Sequence, residues 1–565
     1  FFKQKTAYEI LIGLVGSDVN AFIEASKLNS TTSYLADALL DNALNEYAIQ
    51  AKENNLKYVI IPGDLTKNGE YEGHLALAEK LKQFEKDTGV QVLLINGNHD
   101  IRNHNAAEFK NGKFESTRYT EPEEFREIYA DLGYDLADAF FTPPEGEKAG
   151  GLSYAATLEG GYRLIALDGG CYSKEINSKG EDKGETRGAY SKALMQWALE
   201  QIADAKAKGL TVLGLTHFNL VQHFENEDNL FTAFPIENWQ EVCESFADAG
   251  MHFAFTGHIH LTDVASHTSD NGETLTDFSQ ASALNFPCYI RTVTLDNRSP
   301  AGDVSVTYDN IDIDASRPVT AYGVTYPQPY RLTAFALNFG GDDINGFIHN
   351  YLRYMLEYTL LPDIKEAGSL YLYLARSLDL DSVLDGLLKS GSGLGAIKGV
   401  TKISLKALIK NICDQVERTY LDGGEGTAHL IAVADAAVQK ITSLQMSPVP
   451  CTKYLNTYGF GDPSRGGNFG ETASTVLATF YGGDETLSDD PFMTDVLARF
   501  ERGENADVIL DTLIDVVLHD LLEDEILKNI RIDVFGIIGN LSGEEAEVLL
   551  QQTLAQLLED GGDSG

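Results

Sequence analysis

Val92-Leu93-Leu94-Ile95-Asn96-Gly97-Asn98-His99-Asp100 is the stretch on which the rest of the chain turns. An apolar, partly β-branched run that breaks at glycine into an amide, an imidazole and a carboxylate reads as a buried strand delivering polar groups from its C-terminal end. Open α/β sheets place their chemistry at such ends.

Working outward, apolar residues at helical spacing (Leu35, Leu39, Leu40, Leu44, Tyr47, Ala48, Ala51) predict an amphipathic helix over about 33–54. The strand Tyr58–Ile61 follows and runs into Pro62-Gly63-Asp64, and a second helix over about 72–88 leads back to the opening stretch. The pattern then repeats. The strand Tyr162–Leu167 ends at Asp168, and a Gly-, Lys- and Glu-rich loop extends to about 189. A helix over about 191–208 precedes the strand Leu210–Leu215, which ends at Thr216-His217. A helix near 236–249 leads to the strand Met251–Phe255, ending at Thr256-Gly257-His258-Ile259-His260. Alternating strands and helices predict parallel pairing with right-handed crossovers. Strands thus finish at Asp64, Asn98-His99, Asp168, His217 and His258/His260. That gathers candidate ligands at one edge of one sheet, which 12 histidines placed at random would rarely do.

Alternating segments at 290–295 and 304–308 predict antiparallel strands closing the sheet layer. Beyond the proline-rich link 318–329, helical periodicities recur at 344–361, 370–388, 403–420 and 508–527. The expected organisation is an α/β domain over 21–317, a linker over 318–329 and a mainly helical domain over 330–565. Residues 1–20 stand apart, because Phe1–Ile10 resembles the translated read-through of a sequencing-library adapter. The glycines of 459–470 are not in phosphate-loop order.

With 43 Lys+Arg against 85 Asp+Glu, the formal net charge of −42 opposes binding of a nucleic-acid polymer. An anionic substrate would need local positive charge, for which metal ions are the natural source. No run reaches the roughly 18 apolar residues of a membrane span. The 5 cysteines show no CxxC spacing, so neither a zinc ribbon nor a dense disulfide framework is expected. A bacterial secreted or cell-surface location is favoured over a cytoplasmic one.

Asp64 alone would read as a turn carboxylate. Beside Asn98-His99-Asp100 it reads as a ligand able to bridge cations, with Asn98 a neutral oxygen donor. On an extended segment His258 and His260 would point to the same side, and with His217 one strand earlier they read as metal ligands.

The set Gly63-Asp64, Gly97-Asn98-His99-Asp100, His217 and Gly257-His258-Ile259-His260 resembles the calcineurin-like metallophosphoesterase superfamily over about 21–295. That resemblance implies a four-layer α/β-β/α metallophosphoesterase sandwich, here followed by the mainly α-helical C-terminal domain. It also implies two divalent or trivalent metal ions (Mn, Fe or Zn). Asp64 would bridge them, Asn98, His217 and His258 would complete one site, and His260 would bind the other metal. His99, oriented by Asp100, would protonate the leaving oxygen or stabilise the transition state. The implied activity is hydrolysis of a phosphomonoester or small phosphodiester by attack of a metal-bound hydroxide.

The family opens with Asp-x-His at the end of its first strand, and no such triplet precedes Asp64. Asp18-Val19-Asn20 is either a degraded copy with Asp18 a ligand, or the natural motif has been lost. His223 reads either as a wall of the phosphate pocket or as a loop histidine. Arg102, with His104 and Asn105, reads either as a substrate contact or as solvated loop. Asp168 is expected to shape the site through hydrogen bonds, and Cys171 to be a structural thiol. The alternatives to a phosphomonoesterase are a cyclic-nucleotide-type phosphodiesterase and a catalytically weak surface protein with a vestigial site. The partners expected are a small phosphorylated substrate and a protein reached through the helical domain.

Overall fold

The structure, a computed structural model, describes residues 35–110, 113–176, 182–224, 227–230, 233–283, 289–298, 304–312, 319–321, 324–326, 360–377, 380–389 and 401–444, with 498 and 502 besides. Asp18 and the helical periodicity at 508–527 lie outside the described residues, as does nearly all of that at 344–361.

The elements begin with α1 (Ala36–Glu53), β1 (Tyr58–Ile61), α2 (Tyr71–Thr88), β2 (Gln91–Leu94), β3 (Ala107–Lys110), β4 (Lys113–Ser116), α3 (Pro122–Ile128) and β5 (Ala137–Phe140). They continue with β6 (Tyr154–Leu158), β7 (Tyr162–Leu167), β8 (Gly170–Ile176), β9 (Asp182–Gly188), α4 (Lys192–Ala207), β10 (Thr211–Thr216), α5 (Glu227–Leu230), α6 (Trp239–Ala249) and β11 (Met251–Thr256). Then come β12 (Asp263–Thr268), β13 (Thr274–Ser279), β14 (Tyr289–Asp296), β15 (Ser305–Asp312), β16 (Val319–Ala321) and β17 (Val324–Tyr326).

Local chemistry sets the helix ends. Ser191 caps α4 by accepting the Leu194 N–H at 3.1 Å. A reciprocal Glu121/Glu124 capping box with Pro122 in the first turn starts α3. Gly89, at φ 75°, ends α2 in the left-handed conformation that suits glycine.

Strands β1 and β2 pair in parallel, Tyr58 opposite Gln91 through Ile61 opposite Leu94. A separate seven-stranded sheet has the order β12-β13-β11-β10-β7-β6-β5. Its centre, β7-β10-β11-β13, is parallel, while β12 and β6-β5 are antiparallel additions. The strands that carry the candidate ligands therefore belong to two sheets, not to the one sheet expected.

Alternation along β7 shows how the layers stack. Leu164 and Ala166 face a core shared with Val59, Leu77, Leu81, Val92 and Leu94, which lies between the sheets and under α2. Ile165 and Leu167 face the opposite core, filled by Leu194, Ala198 and Ile202 of α4 and by Val242 and Phe246 of α6. Helix, sheet, sheet and helix in that order make the four-layer α/β-β/α sandwich expected from the sequence.

The Gly-, Lys- and Glu-rich stretch after Asp168 is a hairpin, β8 with β9, where a loop was expected. Its polar sequence carries no apolar alternation to announce it. β14 and β15 pair with each other in a two-stranded sheet and, among the described residues, do not extend the large sheet.

A second compact unit contains α7 (Leu361–Ala367), α8 (Leu370–Ser377), α9 (Leu380–Lys389), α10 (Lys402–Tyr420) and α11 (Glu425–Thr442). Leu380, Leu384 and Leu405 meet in one of its small cores, and Ile364, Leu370 and Cys413 in another. Among the described residues no helix is long and apolar enough to cross a membrane.

Candidate metal centre

The C-terminal ends of β1, β2, β10 and β11 bring Asp64, Asn98, His217 and His258 to one place. Carboxylate and imidazole ligand atoms of Asp64, His217 and His258 all lie within 4.8 Å of one another, and all three residues are buried. Asn98 Oδ1 is 3.0 Å from His217 Nε2. His217 Nε2 and His258 Nδ1 face each other at 3.1 Å.

Carbonyl partners fix which imidazole nitrogens can ligate. His217 Nδ1 donates to the Pro62 carbonyl at 2.7 Å, and His258 Nε2 donates to the Ala233 carbonyl at 2.9 Å. That leaves His217 Nε2 and His258 Nδ1 as the lone-pair nitrogens turned toward each other, the arrangement in which metal-binding histidines are usually held. Asp64 Oδ2 is buried without a hydrogen bond, 3.4 Å from His217 Nε2. Two facing lone pairs and an orphaned carboxylate oxygen are what a divalent cation satisfies, so these residues fit the group.

Electrostatics agree. Burial would raise the Asp64 carboxyl, but His217, His99 and His258 hold it well below the ordinary carboxylate range. Burial and neighbouring His217 press His258 down to about 3, keeping its ring neutral. His260, also buried, is driven well below its usual value, first by burial and then by His258. His217 is raised because Asp64 outweighs its burial, so a proton and a cation compete for the same position.

His258 and His260 do not lie on an extended segment. Both have φ 66°, as Asp64 has φ 54°, and the Ile259 N–H donates to the Gly257 carbonyl at 2.8 Å. Left-handed backbone at non-glycine residues is strained and clusters at functional sites. The histidine pair is thus carried by a tight turn. His260 lies outside the 4.8 Å group but within the field of Asp64, His258, His99 and His217.

Glycines let the first two ligand loops touch. A Cβ on Gly97 would sit 2.2 Å from Asp64 Oδ1 and 2.5 Å from its backbone nitrogen. Gly97→Ala is therefore expected to displace Asp64, lowering stability by about 1–3 kcal/mol and removing Mn²⁺ binding, read by thermal melting and calorimetric titration.

Asp100 does not orient the His99 ring as expected. Its Oδ1 accepts the N–H groups of Leu65 and Thr66 at 2.7 and 3.0 Å, and its Oδ2 accepts that of Gly97 at 2.7 Å. It ties the Asp64 loop to the Asn98 turn. Burial and the nearby Asp64 charge raise its carboxyl against the pull of those donors. The His99 ring is instead near Asn68 Oδ1 and Asn103 Nδ2, each 3.4 Å from Nδ1, while its backbone N–H donates to Asp64 Oδ1 at 3.0 Å.

His223 is buried beside two carboxylates. Its Nδ1 is 2.5 Å from Asp263 Oδ2 and its Nε2 3.6 Å from Asp277 Oδ2, all three residues being buried. Burial alone would strip its proton, but the two carboxylates outweigh that and push it up to about 10. Because the folded state holds this proton more tightly, the group's contribution to stability is full below pH 6.5. It is lost as pH rises through about 10, at up to about 1.4 kcal/mol per pH unit. Urea unfolding of the full chain between pH 6 and 10 checks it, with His223→Gln expected to flatten the profile.

Arg102, read either as a substrate contact or as solvated loop, has φ 51° and donates from Nε to Glu121 Oε2 at 2.7 Å. Asp168 behaves as expected, accepting Asn96 Nδ2 at 2.9 Å and so joining the ends of β2 and β7. His74, not among the residues expected at the site, is fully buried between Thr66 Oγ1 at 3.2 Å and Tyr129 OH at 2.8 Å. Its place on the apolar face of α2 with Leu77, Ala78 and Leu81 was the available clue. Asn68 and Asn103 had none.

The calcineurin-like phosphoesterase family model matches residues 33–261. That match covers the segment in which the sequence resembles this family. No curated protein matches the chain. Among solved structures the chain is similar to a dimetal phosphatase from Danio rerio, at 13% identity and TM-score 0.29, covering 43% of this chain and 78% of that one. It is also similar to the phosphopantetheinyl hydrolase of Mycobacterium tuberculosis, at 12% identity and TM-score 0.21, covering 40% and 80% respectively.

Proposed function

We propose that this chain hydrolyses a small phosphomonoester or phosphodiester with the help of two divalent or trivalent cations. Asp64, Asn98, His217 and His258 would hold one cation, and Asp64 with His260 the other. The observation that carries the reading is the pair of facing imidazole nitrogens, 3.1 Å apart, beside the orphaned Asp64 oxygen. When bound, such ions clamp phosphoryl oxygens and lower the pKa of a coordinated water.

The remaining work falls to the chain's own groups. His99 would protonate the leaving oxygen, its backbone anchored to Asp64 and its ring steadied by Asn68 and Asn103. Asp100 would keep the two ligand loops in contact, and Asp168 would hold β2 against β7.

The test is turnover of a chromogenic phosphomonoester and a chromogenic diester after loading with Mn²⁺, Fe or Zn²⁺, across pH. Metal-dependent hydrolysis of at least one is expected. Hydrolysis of neither, with His99→Asn indistinguishable from wild type, would overturn the proposal in favour of a binding protein with a vestigial site.

A further inference from the structure

The turn that carries His258 and His260 is closed at both ends by one buried charge cluster. At its start, Thr256 Oγ1 donates to Asp277 Oδ1 at 2.5 Å and accepts Asn219 Nδ2 at 2.7 Å. At its end, Asp263 pairs with His223 Nδ1 at 2.5 Å. The other face of the cluster grips the chain just beyond His217. Asp277 Oδ2 accepts the N–H groups of Leu220 and Val221 at 2.7 and 3.3 Å, and the His223 N–H donates to Glu227 Oε2 at 2.7 Å. His223, Asp263, Asp277 and Thr256 are all buried.

We propose that His223, Asp263 and Asp277 form a clamp that presses the His258/His260 turn against the His217 loop and holds it in its left-handed conformation. The clamp members are positioning residues, and the inference rests on the reading of His217, His258 and His260 as metal ligands. His258 and His260, two residues apart in one turn, both stand at φ 66°. Strain of this kind persists only where surrounding structure over-determines it. An imidazole bonded to Asp263 at the far end of the turn, with its other nitrogen 3.6 Å from the Asp277 carboxylate that holds the near end, supplies that constraint. Groups of this kind, behind the ligands, typically govern metal affinity 10- to 100-fold.

The test measures Mn²⁺ binding to the full chain by calorimetry, for wild type, Asp263→Asn and the isosteric Thr256→Val. Each variant releases one end of the turn. Both are expected to bind Mn²⁺ about 10- to 100-fold more weakly while folded. A role confined to stability would lower the melting temperature and leave the affinity of the folded protein unchanged. Folded variants with wild-type affinity would overturn the clamp, and Thr256→Val decides the matter alone if Asp263→Asn does not fold. A wild-type chain that binds no Mn²⁺ would instead overturn the metal-site reading and the clamp together.

Discussion

Replacing Asp64 with Asn is expected to lower metal-dependent kcat/KM by at least about 10³-fold, since Lewis-acid assistance is worth several kcal/mol and each 1.36 kcal/mol is a factor of ten. Asp64 is the only carboxylate in the Asp64, His217, His258 group, so its charge alone offsets a dication there. Asparagine keeps an oxygen to accept the His99 N–H but brings an amide NH₂ where Oδ2 now stands free of hydrogen bonds. The fold should survive, because Asp100 binds three further N–H groups that join the two loops. Steady-state kinetics with circular dichroism and metal analysis read the outcome. Wild-type activity in a folded Asp64→Asn protein would show that the carboxylate is not a ligand.

His99→Asn is expected to reduce kcat by about 10²–10⁴-fold, the usual worth of a general acid, with Mn²⁺ affinity unchanged. The backbone N–H that reaches Asp64 remains in the variant, so the ligand loop should keep its place. The loss should depend on the leaving group. A nitrophenolate departs without a proton, so aryl esters should lose far less than alkyl phosphates. Equal losses on both would assign His99 to stabilising the transition state, and no loss would remove it from the chemistry.

Much of this was legible in the sequence because parallel strands buried on both faces are continuous apolar runs with abrupt polar ends. Tyr58–Ile61 and Tyr162–Leu167 appear at the expected bounds for that reason. The β-hairpin β8–β9 was not legible, since its polar sequence has no apolar alternation to mark it. Adjacency misled at Asp100: neighbours in a tight turn point apart, and its carboxylate found loop amides while the His99 ring found Asn68, 31 positions away. The partners of His223 and Arg102, Asp263 and Glu121, are brought to them only by folding, so nothing adjacent in sequence announces them. The left-handed turn at His258 and His260 is a backbone property that residue type does not disclose.

The most direct measurement of the central claim is an anomalous-difference map from crystals grown with Mn²⁺. A peak is expected within about 2.0–2.3 Å of an Asp64 carboxylate oxygen, His217 Nε2 and His258 Nδ1, a bond length set by ligand chemistry. A peak lying elsewhere, or none near these three residues, would rule it out.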